Sequence, residues 1–219
     1  MITLFLDTST TRLIVGIYKD NSPIFISNEQ SENDLSSRVL PLIKSALEEC
    51  KLTVDKINRI LIVNGPGSFT GVRVGVTIAK TLAWSKNIDI IPISELEVLA
   101  STKVETDYVV PLIDARRDAF YAGMYDKKHK NIIEDAYITR TALLNKIKRH
   151  VSLKKVTFVS YTKINELETI LPNIDLDYIV KKYAKKKSSN AHTVNPNYLK
   201  KVEAEEKLND KRNKWFRTY

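Results

Sequence analysis

An α/β fold of two similar lobes is what this sequence predicts, and three observations predict it. Apolar runs of strand length alternate with stretches whose apolar residues recur at helical spacing. The plan of an apolar strand, an Asp-led polar turn and a returning strand occurs twice, over residues 2–18 and again over 108–125. Between the two copies, an apolar run at 60–63 passes through a glycine-rich turn into a long helical pattern. Mixed sheets flanked by helices fit this alternation.

The first lobe is expected over residues 1–103. Ile2 to Leu6 is a strand ending in the polar turn Asp7-Thr8-Ser9-Thr10-Thr11, Leu13 to Tyr18 returns, and Asn21-Ser22-Pro23 leads into a third strand, Ile24 to Ser27. Leu35, Val39, Leu42, Ala46 and Leu47, with Ile43 and Cys50, recur as a helix that Ser31 or Asp34 would cap. Ile60 to Val63 is a buried strand, a second helix runs from about Thr70 to Ser85, Ile88 to Ile93 is a strand, and Ser94 caps a helix to about Ser101. The second lobe is expected over 104–219. Tyr108 to Ile113 is its first strand, Asp114-Ala115-Arg116-Arg117 its turn, and Ala119 to Tyr125 its returning strand. A strand at 132–138, a helix at 141–150, a strand at 156–160 and helices near 164–171 and 196–208 complete it. Two lobes with the same opening suggest a duplicated ribonuclease-H-like or actin-like architecture.

The 219 residues carry a formal net charge of +9, with 43% hydrophobic and 28% charged residues, an ordinary balance for a globular protein. No apolar run approaches the roughly 20 residues that span a bilayer, and Met1 to Asp7 has neither the basic region nor the cleavage site of a signal peptide. A single cysteine, Cys50, excludes an internal disulfide framework. The chain reads as cytoplasmic, with no membrane partner. Its lysines cluster at Lys181, Lys182, Lys185, Lys186 and Lys187, and basic residues again at Lys207, Lys211, Arg212, Lys214 and Arg217. Such clusters are either solvated surface or a phosphate-binding face for RNA.

The strongest local signal is Gly65-Pro66-Gly67-Ser68-Phe69-Thr70-Gly71-Val72-Arg73-Val74-Gly75. Glycines at a strand-to-helix turn let backbones approach closely, and a helix N-terminus there attracts anions. Val72-Arg73 after Gly71 is not the Gly-Lys-Ser/Thr ending of a Walker A loop, and Gly65, Gly67 and Gly71 are spaced one residue too far for the dinucleotide fingerprint. A tight packing turn therefore competes with a phosphate cradle. Behind it, Gly71, Gly75, Ala79 and Ala83 form a ridge of small residues, while Val72, Val76, Ile78 and Leu82 make the remaining faces apolar. A helix apolar on most of its circumference must be covered on most of it, either by this chain's first helix or by another subunit.

Catalytic candidates are few. His129, His150 and His192 are isolated and form no HxxxH or HExxH pair, and no GxSxG elbow exists. Asp7 and Asp114 could flank an interlobe cleft as paired carboxylates, or each could cap its own turn.

The run from Gly65 to Gly75, with Leu4-Phe5-Leu6-Asp7-Thr8-Ser9, Val39-Leu40-Pro41-Leu42-Ile43, Ile113-Asp114-Ala115-Arg116-Arg117 and Pro196-Asn197-Tyr198-Leu199-Lys200, closely resembles the TsaB (YeaZ) family in the expected order. The resemblance implies two actin-like lobes of the ASKHA superfamily. It also implies a non-catalytic dimerisation subunit of the complex that installs threonylcarbamoyladenosine at position 37 of transfer RNA. The implied partners are the catalytic paralogue TsaD, the ATPase TsaE and tRNA held through the complex, with a homodimer when the chain is alone. No cofactor of its own is implied, but ATP or ADP could sit at the subunit boundary. The paralogue's metal-binding His-x-x-x-His pattern corresponds here to Glu95 and Leu99, and leucine cannot ligate a metal. Family members usually carry His-Ser-Glu where this chain has Leu35-Ser36-Ser37-Arg38.

These readings make a scaffold whose partner-facing residues would be Leu35, Val39, Leu42 and Ala46 of the first helix and Gly71, Val72, Gly75, Val76 and Ala79 of the second. A nucleotide or loop site would use Asp7, Gly65, Pro66, Gly67, Ser68, Phe69, Thr70, Arg73, Asp114 and Arg116. The rival is an independent actin-like ATPase or sugar kinase using Asp7 and Asp114 around nucleotide and magnesium. Against it, the chain is short, and no glycine follows Gly123.

Overall fold

A computed structural model describes residues 1–31 and 34–200. The first sheet contains β1 (Ile2–Asp7), β2 (Arg12–Lys19), β3 (Ser22–Gln30), β4 (Arg59–Val63) and β5 (Asp89–Ile93), in the order β3-β2-β1-β4-β5. The second contains β6 (Tyr108–Asp114), β7 (Ala119–Asp126), β8 (Asn131–Thr139), β9 (Val156–Val159) and β10 (Thr169–Ile170), in the order β10-β9-β6-β7-β8. Read from its other edge the second sheet repeats the first strand for strand. In each sheet the first three strands pair antiparallel, and the remaining two join in parallel. The repeated opening seen in the sequence is thus the start of a whole duplicated sheet, and the architecture is the actin-like α/β fold.

Among the described residues five α-helices cover the sheets: α1 (Leu35–Glu49), α2 (Phe69–Lys86), α3 (Glu95–Ala100), α4 (Arg140–His150) and α5 (Leu176–Tyr183). Strand side chains alternate in direction, so β1 sends Leu4 and Leu6 into a layer with α1 and α2, and Phe5 into a layer with α3 and α5. Both faces of the first sheet are therefore apolar, which is why its central strands read as unbroken apolar runs. In the second lobe α4 lays Leu143 and Ile147 on β6, β7 and β9. The short α3 lies between the lobes. Its Val98 packs on the first sheet, its Leu96 and Ala100 pack on the second, and all three are fully buried.

Three expectations are corrected. No helix forms near 164–171. Glu166 sits at a positive φ of 62°, Ile164 and Leu167 turn into the second-lobe core, and Thr169–Ile170 pairs with β9. Pro172 also disfavours helical backbone at Leu171. The second lobe thus lacks the counterpart of α2. Conversely, α5 lies outside the expected elements, because a dense charge run surrounds Leu176, Ile179, Val180 and Tyr183, which share one buried face; Asp175 caps it by accepting from the Tyr178 N–H at 2.9 Å. Residues 196–200 are not helical, and the rest of the expected 196–208 helix, with the basic cluster from Lys207 to Arg217, lies outside the described residues.

The second-lobe range 104–219 also proves less self-contained than its boundary suggests, because α5 returns to seal the first sheet. Arg59, 8% exposed, donates to the Tyr183 carbonyl at 2.9 Å and also to that of Ala184, and pairs with Asp89 at 3.3 Å. Tyr18 adds a hydroxyl bond to Asp177 at 3.2 Å. Among the described residues no helix is long and apolar enough to cross a membrane.

Candidate functional site

The glycine loop is a packing device. Gly67, Gly71 and Gly75 bring the start of α2 against the end of β1 so closely that an added Cβ would lie 2.0 Å from the Ser9 carbonyl oxygen, 2.1 Å from that of Thr8, and 2.2 Å from Thr8 Oγ1, respectively. The Ser68 N–H donates to the Ser9 carbonyl at 2.6 Å, and Thr8 Oγ1 donates to the Gly71 carbonyl at 2.7 Å. Ser68 caps α2 by accepting from the Gly71 N–H. Gly65, at φ 106°, precedes a cis bond to Pro66. Of the two readings of this loop, close packing is the one its contacts describe.

The same contacts correct the proposed partner face. Val39, Ala46, Gly71, Val72, Gly75, Val76 and Ala79 are buried within this chain, and Leu35 and Leu42 are half-buried against the same core. Gly71 and Gly75 of the small-residue ridge take the strand end, and Ala79 and Ala83 share a core layer with α1 of this chain. What α1 and α2 present to solvent is different: Leu40 is 54% exposed and Trp84 69%, with the partly covered Val74 and Ile78 on α2.

At the mouth of the loop Phe69, 58% exposed, stacks on Tyr198 with centroids 5.8 Å apart. The Arg73 guanidinium lies 3.6 Å over the Phe69 ring, and its Nε donates to the Tyr198 hydroxyl at 2.6 Å. The Asn197 N–H donates to the Asn64 carbonyl at 2.7 Å. The Pro196–Lys200 motif is therefore an irregular strap held on the glycine loop. Thr70 is exposed beside Phe69.

Between the lobes a cleft of about 460 Å³ is lined by Ser9 to Thr11, Gly67 and Ser68 on one side and by Asp114 to Arg116, Tyr121 and Ser160 to Thr162 on the other. Asp114 is exposed and accepts from the Arg116 N–H at 2.8 Å, capping its own turn. That turn carries positive φ at Arg116, Arg117 and Asp118, a conformation uncommon for non-glycine residues.

The carboxyl that meets Asp7 is Glu95 of α3, not Asp114. Asp7 and Glu95 are both fully buried. Asp7 Oδ1 accepts from the Ser9 N–H at 2.8 Å, and the Ser9 hydroxyl lies beside both carboxyls as a further donor. Two fully buried carboxyls in contact, with Ser9 as their neighbouring donor, cannot both stay charged; one shared proton resolves this. Burial raises the Asp7 pKa, and burial together with the Asp7 charge raises that of Glu95 well above the carboxylate range, so Glu95 holds the proton and donates it to Asp7. The Tyr161 hydroxyl is pushed strongly upward by burial and by both acids, and stays protonated. Among the described residues no three His, Cys, Asp or Glu side chains gather as a metal would require. The sequence singled out Glu95 only as the residue standing in place of a histidine; nothing local showed that it meets Asp7.

The fold and site define a class: a two-lobed actin-like protein whose glycine loop is filled by its own strand end. The family model for "TsaD: tRNA N6-adenosine threonylcarbamoyltransferase" matches residues 26–170. The TsaB protein of Buchnera aphidicola subsp. Acyrthosiphon pisum is 31% identical over 185 residues, which cover 81% of this chain and 82% of that one. That of Bacillus subtilis (strain 168) is 38% identical over 130 residues, 59% of this chain and 57% of its own length. YeaZ from Pseudomonas aeruginosa, at 23% identity, superimposes with a TM-score of 0.71 over 90% of this chain and 99% of that one. The chain belongs to the TsaB (YeaZ) family. It spans between about half and three fifths of the length of several of the relatives it matches.

Proposed function

We propose that this chain is a non-catalytic partner subunit in the biosynthesis of threonylcarbamoyladenosine on transfer RNA, working in the cytoplasm by binding and supporting the catalytic paralogue TsaD. The relatives named as tRNA threonylcarbamoyladenosine biosynthesis proteins support the pathway. The observation that carries the helper role is the fate of the paralogue's histidine positions: Glu95 is spent on Asp7, and Leu99 is fully buried and cannot ligate a metal. The homodimer, the ATPase TsaE, and ATP or ADP at the subunit boundary belong to the same reading. Reconstituting tRNA modification from purified components with and without this chain tests it. Activity should require both this chain and the paralogue, and modification by this chain alone would overturn the helper role.

The docking face of this reading is the outward side of α1 and α2, supported by the exposure of Leu40 and Trp84. The outward residues Leu40 and Trp84 replace the inward ones as the contact on α1 and α2. Exposed large apolar side chains on neighbouring helices suit a subunit interface, and buried anchors of this kind contribute about 2 kcal/mol each. Leu40→Asp and Trp84→Asp should each weaken binding to the paralogue by roughly 30-fold in a titration followed by calorimetry. Their melting temperatures should stay near that of the unaltered chain, because neither side chain is part of the core. Unchanged affinity in both variants would move the interface elsewhere.

A further inference from the structure

Lysines that are scattered in the sequence converge on one groove. The β7–β8 turn carries Lys127, Lys128 and Lys130, Lys154 and Lys155 precede β9, and α5 ends in Lys181 and Lys182 before Lys185 to Lys187. All of these are exposed. Contacts join them across the fold. Asp107 pairs with both Lys127, at 3.3 Å, and Lys155, at 3.4 Å. Lys182 reaches from α5 to donate to the His129 carbonyl at 3.4 Å, and the His129 ring packs on Tyr178 of α5 with centroids 4.1 Å apart. Lys103 joins through Asp175 at 3.1 Å. Between these groups runs a groove of about 290 Å³ lined by Lys103, Asp107, Lys127, His129, Asp175 and Tyr178.

Of the carboxylates near the groove, Asp126 accepts from the backbone N–H groups of Lys128 and Lys130 at 2.8 and 2.9 Å, and the others hold lysines. Asp107 is shared by two lysines, Asp175 holds Lys103 and caps α5, and Glu97 takes Lys182 at 2.7 Å and the Tyr183 hydroxyl at 2.6 Å. Lys128, Lys130, Lys185 and Lys187 are exposed and make no ion pair with any described residue. The exposed cations named on this face are all lysines. Lysine meets phosphate as a point charge, which positions a nucleic acid without reading its bases. Two half-buried rings, His129 and Tyr178, line the groove floor and offer a stacking surface for an unpaired base.

We propose that this lysine-rimmed groove between the end of α3, the β7–β8 turn and α5 binds the phosphate backbone of an RNA, positioning it without sequence readout. The proposal rests on the tRNA-modification reading above and adds a direct RNA contact by this subunit. The full chain is titrated into a fluorescent, unmodified tRNA transcript, with anisotropy read from 50 to 300 mM salt. Each phosphate contact contributes about one unit to the salt slope. The double variants Lys185→Glu/Lys187→Glu and Lys127→Glu/Lys128→Glu should each weaken binding about tenfold or more and flatten the slope by about two. A charge-matched control on α1 and the turn after it, which cover the other face of the first sheet, is Lys44→Glu/Lys51→Glu; it should bind as the unaltered chain does. Equal weakening by the control would reduce the effect to net charge and overturn the groove. So would patch variants that bind normally, or tighter binding to phosphatidylserine vesicles than to the transcript. The failures are separable: a chain that joins the paralogue but shows no lysine-dependent tRNA affinity overturns this proposal alone, whereas groove-dependent tRNA binding by a chain that ignores the paralogue overturns the partner role alone.

Discussion

Gly75→Glu is expected to leave the chain unfolded, not merely without a partner. Even the Cβ of alanine would sit 2.2 Å from Thr8 Oγ1 and 3.3 Å from Ile62 Cδ1. Alanine gains about 1 kcal/mol of helix propensity over glycine, but forcing one carbon into this contact costs about 3 kcal/mol, so the clash wins. Gly75→Ala should lower the melting temperature by roughly 4–8 °C, as circular dichroism would record. Glutamate adds a buried charge to the same clash, and a cooperative melting transition should disappear. The mechanism has its own check: removing the obstructing hydroxyl in Thr8→Ala should make Gly75→Ala less costly than in the native background. Strict additivity of the two would show that the Thr8 contact is not the cause.

The second large effect is a dependence on pH. Glu95 has a folded pKa raised well above 4.5, first by burial and then by the Asp7 charge. A raised folded pKa means the folded state binds its proton more tightly than the unfolded chain does. The stabilisation from holding that proton is therefore fully present below about pH 4.5 and is lost as pH rises through the folded value. The groups facing the pair are Ser9, the Tyr161 hydroxyl and Asp7 itself, with Arg12 acting on Tyr161. Glu95→Gln keeps the shape, needs no proton, and offers its amide N–H to Asp7. Its melting temperature should exceed that of the native chain at pH 8–9, and the two should converge toward pH 5. Parallel curves for the two proteins across that range would mean that no proton is stored between Asp7 and Glu95.

The strands and the duplication were legible because each depends on local pattern: apolar runs such as Ile60 to Val63, and an Asp-led turn that occurs twice. The glycine loop was legible as close packing, but its neighbour was not. A ridge of Gly71, Gly75 and Ala79 accepts a strand end as readily as another helix, and only the fold brings Thr8 there. The same ambiguity assigned to a partner the residues of α2 that this chain buries against itself. α5 was masked by its lysines, since four apolar residues over two turns are a weak signal beside a dense charge run. The Asp7–Glu95 pair and the lysine groove are products of long-range topology, and no window of sequence contains them.

The return of α5 has a consequence during synthesis. On the ribosome the first sheet can pair all five strands once residue 93 has emerged, yet the face of Phe5, Ile14, Leu61 and Ile91 gains Val98 of α3 early and lacks α5 until residues 176–183 arrive. At 5–20 residues per second that delay is on the order of ten seconds. For that interval the nascent half-protein offers a greasy plane to whatever is nearby, which makes it a natural client for a chaperone at the exit tunnel.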